Sequence, residues 1–299
     1  MKETVFQKGS NAVQSAAETA KNVAYASKQA VIEAIDENGN GEIDIEDIII
    51  KGLKTPGIRI DREDFLRKEL FKNYAQSVVD NAIMRNPAHA GIGVEKIDRI
   101  TDEVIKRERN FVSGISAVLG APGGTAMAAT IPADVIQYYA YMLRTAQELM
   151  YLYGFPELCA GESDCQIDSE TMNLLILCLG TMYGVAGAGK AIRAVAEALA
   201  TGVEKKLLNT ALTKGTIYPM VKSIMRWFGI NLNKKIFAGF FKNAIPVVGS
   251  AVSGGITYLS FKPCCEKLKA VLRETRLSVP DITDDSDQVI LSSGYVQKT

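Results

Sequence analysis

The feature that most constrains this chain is a twelve-residue segment, Asp36 to Asp47, in which oxygen-bearing side chains alternate around a glycine. It reads Asp36, Glu37, Asn38, Gly39, Asn40, Gly41, Glu42, Ile43, Asp44, Ile45, Glu46, Asp47. Counted from Asp36, side-chain oxygens stand at positions 1, 3, 5, 9 and 12. Gly41 stands at position 6, where the chain must bend sharply, and Glu42 at position 7 offers its backbone carbonyl. Such a loop needs a helix on each side to hold its ends. Residues 4 to 35 predict the first: Ala, Gln, Lys and Glu dominate, and neither Pro nor Gly follows Gly9. Val13, Ala16, Ala20, Val23, Ala24, Ala30, Val31 and Ile35 fall at roughly helical spacing. A short helix over residues 45 to 53 supplies the second.

This is the arrangement of an EF-hand-type calcium loop, so Asp36, Asn38, Asn40, Glu42, Asp44 and Asp47 are the expected metal ligands. Ca2+ is the expected ion. Position 12 departs from the pattern, because Asp47 stands where a longer glutamate gives two oxygens. That departure weakens calcium binding and narrows discrimination against Mg2+. The competing reading is an Asx-rich, glycine-rich turn that joins two helices without metal. A shorter echo follows 17 residues later, where Ile60-Asp61-Arg62-Glu63-Asp64-Phe65 repeats Ile43-Asp44-Ile45-Glu46-Asp47-Ile48. Its front half, Leu53 to Ile58, lacks acidic ligands and contains Pro56, so it is expected to be a structural partner that pairs through Ile43 and Ile60. Here too a plainer reading competes: two helix starts with Asp caps.

Lys54-Thr55-Pro56-Gly57 is a turn signal, a helix is expected from Asp61 to about Met84, and Asn86 to Gly91 reads as a loop before helix resumes near Val94. The chain then changes character. Residues 110–133, 171–189 and 243–261 carry no charge, and charged amphipathic segments such as 190–213 and 262–276 alternate with them. A helix over 133–153 places Val135, Ile136, Tyr139, Met142, Leu143, Ala146 and Leu149 on its apolar side. Small residues four apart recur at Gly120/Gly124, Gly180/Gly184 and Ser250/Gly254, a spacing that lets helix backbones approach closely. The two 19-residue stretches are diluted by Gly, Ser and Thr, so a tight core is the expectation ahead of membrane insertion. From Ser278 onward the chain is expected to be disordered.

Two of these segments carry a resemblance. Gly120-Ala121-Pro122-Gly123-Gly124, then Ile131-Pro132-Ala133-Asp134 and a helix ending Tyr151-Leu152-Tyr153-Gly154-Phe155, are similar to the bacterial EcsC family. So is Ala244-Ile245-Pro246-Val247-Val248-Gly249-Ser250-Ala251-Val252-Ser253-Gly254-Gly255. The resemblance covers roughly residues 70 to 276. It implies a multi-helix bundle and association with membrane or secretion machinery, and no reaction.

Lysine plus arginine and aspartate plus glutamate number 34 each, which argues against nucleic acid as a partner. The five cysteines, Cys159, Cys165, Cys178, Cys264 and Cys265, contain no CxxC pair and suit idle thiols in a reducing compartment. No apolar leader occupies Met1 to Ser10, so a cytoplasmic setting is expected. Gly184 to Ala191 approaches a phosphate loop, but Ala191 replaces the metal-binding Ser or Thr. His89, the one histidine, reads as a solvated loop residue, Asp134 as an early-helix carboxylate, and Trp227 as core with Met225 and Phe228. Lys205, Lys206, Lys234 and Lys235 read as a solvated face, with anionic lipid as the alternative.

The sequence therefore predicts an all-α protein. Residues 1–69 form an EF-hand-like helix-loop-helix region, 70–276 an EcsC-like helical bundle with Gly-rich apolar helices, and 277–299 an acidic tail. The expected function is non-catalytic calcium binding at the inner face of the cytoplasmic membrane, with membrane lipid or a membrane protein as partner. Two alternatives stay open: an enzyme or carrier for a lipid-like substrate, and a scaffold for protein partners.

Overall fold

The structure, a computed structural model, describes residues 32, 33, 35–37, 39–119, 127–158, 167–201, 210–243 and 249–278, and the side chains among them other than 127–132, 231–243, 249–253 and 276. The described chain is all-α: α1 (Ile45–Lys54), α2 (Arg62–Leu70), α3 (Gln76–Met84), α4 (Val94–Leu119), α5 (Met127–Leu152), α6 (Ser169–Met182), α7 (Ala188–Ala200), α8 (Tyr218–Asn243) and α9 (Gly249–Arg273). Most of the helix predicted over 4–35, and the tail after Ser278, lie outside the described residues.

Helix starts follow local chemistry. Asp44, Asp61 and Asp168 cap α1, α2 and α6, each accepting a backbone N–H three residues on. Two stops are glycines in the left-handed region. At the end of α5, Gly154 (φ +97°) lets its own N–H reach Tyr151 O and lets Phe155 N–H reach Met150 O. Gly184 (φ +73°) ends α6 in the same way, with bonds to Thr181 O and Gly180 O. The glycine run that approaches a phosphate loop is thus a helix stop followed by the start of α7, and the segment before it is helix α6.

The helix expected from Asp61 to Met84 is two helices, and Arg62 explains the break. Its buried guanidinium donates to the carbonyls of Ala82, Ile83 and Arg85 at the end of α3, and to Phe155 O. Those carbonyls come within reach of Arg62 only if the chain reverses between Leu70 and Gln76. Arg67 ties the hairpin again through Asp80 at 3.2 Å.

One hydrophobic core runs from Ile35 to Leu272. Helix α6 lies at its centre, with residues 174 to 182 buried on every face. Tyr139, Met142, Leu143, Ala146 and Leu149 are buried as their spacing predicts, while Val135 and Ile136 are half-buried. Phe228 is fully buried, with Met225 and Trp227 packed partly against it. Asp134 sits two turns inside α5, because that helix begins at Met127, so it is not an early-helix carboxylate. Among the described residues the most extensive helix contact is that of α4 with α9. It runs antiparallel, since Asp98 meets Arg273 at 2.7 Å while Ser116 meets Thr257 at 3.1 Å. Gly254 makes the pair close: a Cβ there would lie 3.0 Å from Ala117 Cβ and from Ser113 O. Among the described residues no helix is long and apolar enough to cross a membrane.

Candidate metal centre

The loop is held between two buried isoleucines, Ile35 and Ile43. Asp36 turns its carboxylate inward: Oδ1 accepts N–H from Gly39 at 2.7 Å and Asn40 at 3.2 Å, and Oδ2 accepts from Gly41 at 2.8 Å. Gly39 and Gly41 take φ of +72° and +81°, which L side chains rarely adopt. Asn40 Oδ1 accepts Glu42 N–H at 2.7 Å, so the sharp bend falls at position 6 as the spacing predicts.

The other limb is a helix start. Asp44 accepts Asp47 N–H at 2.9 Å, and Asp47 returns the bond by accepting Asp44 N–H at 3.2 Å, a reciprocal cap on α1. Asp47 also reaches across the loop to accept Glu37 N–H at 3.0 Å, closing position 12 onto position 2. Asp47 is 1% exposed. Burial raises its carboxyl above the ordinary range, and the charge of Asp44 adds to that, against the two backbone bonds that lower it. Glu46 is raised by burial first and then by Asp44 and Asp47. Glu37 is instead held low by Lys51 and Lys54, each 2.7 Å away.

Every candidate donor is oxygen, which suits a hard cation. The carboxylates, however, are turned toward backbone N–H groups. Among the described residues no three Asp, Glu, His or Cys side chains are placed together to hold a metal ion. Asn38 lies outside the described residues. The fit is therefore to the bend and the donor chemistry, and a cation here would share the Asp44 and Asp47 oxygens with the capping N–H groups.

The pairing expected between Ile43 and Ile60 is not formed. Ile60 donates its N–H to Gln147 Oε1 at 3.3 Å and accepts Tyr151 O–H at 3.3 Å, while Gln147 Nε2 donates to Ile58 O at 3.1 Å. Arg144 donates to Gly57 O. One face of α5 thus grips the 57–60 turn, and the second copy is a capped helix start. A signal was present: Arg144, Gln147, Glu148 and Tyr151 form a polar stripe at helical spacing in the largely apolar second half of α5.

That stripe leads to a buried ion cluster that sequence reasoning missed. Glu69 of α2, Glu108 of α4 and Glu148 of α5 are 1%, 4% and 0% exposed. Arg107 reaches Glu69 at 2.8 Å, Glu108 at 3.1 Å and Glu148 at 3.4 Å. Arg144 reaches Glu108 at 3.2 Å and Glu148 at 3.3 Å, and Lys72 pairs with Glu69. Burial raises Glu69, but Lys72 and Arg107 outweigh it and hold the group below the usual carboxylate range. Glu148 goes the other way, pushed up to about 8 by burial and then by Glu108.

Cys178 and Cys265 are buried free thiols, raised by burial. His89 is half-buried, with its backbone N–H on Asn86 Oδ1, so it is not the solvated residue expected. Cys159, Cys165, Lys205 and Lys206, and the side chains of Lys234 and Lys235, lie outside the described residues. Comparison with family models, with curated proteins and with solved structures gives no match.

Proposed function

We propose that this chain is a non-catalytic calcium-binding helical protein, with Ca2+ held by Asp36, Asn38, Asn40, the Glu42 carbonyl, Asp44 and Asp47. The observation that supports this reading is the Asp36 carboxylate gathered by the N–H groups of Gly39, Asn40 and Gly41 at the glycine bend. Calcium bound there offsets the mutual repulsion of Asp44, Glu46 and Asp47. Because Asp47 is short and engaged with backbone N–H, binding is weak, with Kd on the order of 10⁻⁴ M, and magnesium competes. The role is structural: the ion fixes the loop against α1, and α1 is packed into the common core. Titration calorimetry of chelator-stripped protein with Ca2+ tests this directly. A heat of binding is expected in the parent and not in Asp36→Ala, and a parent that gives none removes the reading.

A second reading, contact with a membrane surface, is favoured by the end of the α4–α9 pair. Phe111 and Val118 of α4, and Ile256 and Leu259 of α9, are exposed there. The resemblance of residues 70–276 to the EcsC family points the same way. Co-sedimentation with anionic liposomes, with and without calcium, tests it, and protein left in the supernatant under both conditions rules it out. The enzyme alternative gains nothing from the buried Glu108–Glu148 pair, because neither carboxylate is open to a substrate.

A further inference from the structure

We propose that Glu148 carries a proton at neutral pH and acts as a proton-sensitive latch between the buried ion cluster and the 57–60 turn. The distances single out this residue among the three carboxylates. Glu69 has Lys72 and a 2.8 Å contact from Arg107. Glu108 has Arg107 at 3.1 Å and Arg144 at 3.2 Å, one on each oxygen. Glu148 has only Oε1 engaged, shared between two guanidiniums at 3.3 and 3.4 Å, the longest contacts in the cluster. Its Oε2 is buried and meets no hydrogen-bond donor among the described residues. A fully buried carboxylate oxygen without a donor is costly when ionised, and a proton on that oxygen removes the cost. The carboxyl's raised titration agrees with this geometry.

Glu148 is faced by Glu69 from α2, Arg107 and Glu108 from α4, and Tyr141 and Arg144 from α5 itself, with the buried Cys265 thiol of α9 in the same field. Arg144 connects the proton to the turn. Its guanidinium is divided between Gly57 O, Glu108 and Glu148. When Glu148 loses its proton, a second full negative charge stands beside Glu108. Arg144 is drawn toward the pair, and the Gly57 carbonyl loses its donor. Gln147 and Tyr151 still hold Ile58 and Ile60, so the turn loosens without detaching. The device operates whether or not the loop binds calcium.

The test is a 13C NMR titration of the Glu148 Cδ in the full chain, with amide exchange at Ile60 followed across the same pH range. A Glu148 midpoint at least two pH units above the ordinary glutamate value is expected. Exchange at Ile60 should accelerate above that midpoint in the parent relative to Glu148→Gln, which mimics the protonated group. A Glu148 that titrates as an ordinary carboxylate overturns the proton assignment. A high midpoint with an Ile60 ratio that stays constant across it overturns the latch. The carbon titration needs no variant, so it decides the first point even if Glu148→Gln fails to fold.

Discussion

Replacing Arg144 with methionine keeps the unbranched apolar stem of the side chain and removes its charged, hydrogen-bonding end. The side chain serves three acceptors: Glu108 at 3.2 Å, Glu148 at 3.3 Å and the carbonyl of Gly57. Both glutamates are buried, while Arg144 keeps about a fifth of its side chain exposed, so water replaces the guanidinium only in part. Removing one partner of a buried ion pair costs about 3–5 kcal/mol, and that loss is expected at pH 9, where Glu148 is ionised. At pH 6 Glu148 is neutral and Glu108 keeps Arg107. What remains there is the loss at buried Glu108, about 1–3 kcal/mol, because the exposed Gly57 carbonyl takes water in place of its donor. Urea unfolding of parent and Arg144→Met at both pH values measures the difference, with the denaturant slope checked for constancy. Adding Glu148→Gln to Arg144→Met should shrink the pH 9 loss, because the two residues share one network. The reasoning fails if the loss is equal at the two pH values, or if it stays below about 1 kcal/mol at pH 9.

Parent stability should itself depend on pH. Glu148 is raised from 4.5 to about 8, so between those values the folded chain keeps a proton that the unfolded chain releases. Stability therefore falls as pH rises through this window, by at most about 1.4 kcal/mol per pH unit from this residue, and levels off above it. Melting curves in matched buffers report this slope, and Glu148→Gln should flatten it. Gly180→Ala should destabilise, because a Cβ there would stand 2.7, 2.9 and 3.0 Å from three atoms of Ile224. The helix gains about 1 kcal/mol from alanine and loses roughly 1–3 kcal/mol to overpacking, so denaturation should show a net loss that Ile224→Val reduces. Arg62→Met should cost at least about 2 kcal/mol by urea unfolding, since four carbonyls lose a buried donor at once.

Local chemistry was legible wherever one residue type decides it. Asp44 and Asp61 announced the starts of α1 and α2, Gly41 the bend, and the spacing from Tyr139 to Leu149 the buried side of α5. Events that depend on a distant partner were not legible. The 71–75 break exists because Arg62 needs the carbonyls at the end of α3. Ile60 escapes pairing with Ile43 because Gln147 and Tyr151, nearly ninety residues away, take its backbone groups first. The echo of the loop motif was real as a pattern of helix caps, and capping chemistry alone accounts for it. The buried cluster is spread over three helices, and in one dimension Glu69 and Glu108 look like ordinary surface charges; Glu148 alone stands out, in the polar stripe of α5.

The antiparallel embrace of α4 by α9 sets a condition on biosynthesis. Asp98 and Asp102 wait for Arg273 and Lys269, partners 175 and 167 residues further along. At about 5–20 residues per second, α4 has left the ribosome roughly 8–30 s before its mate is complete. During that interval the apolar side of α4, and an α6 that is oily on every side, have no finished shelter. A stop codon before residue 273 should therefore yield aggregate and not a smaller folded protein, which the soluble fraction of a truncated chain measures.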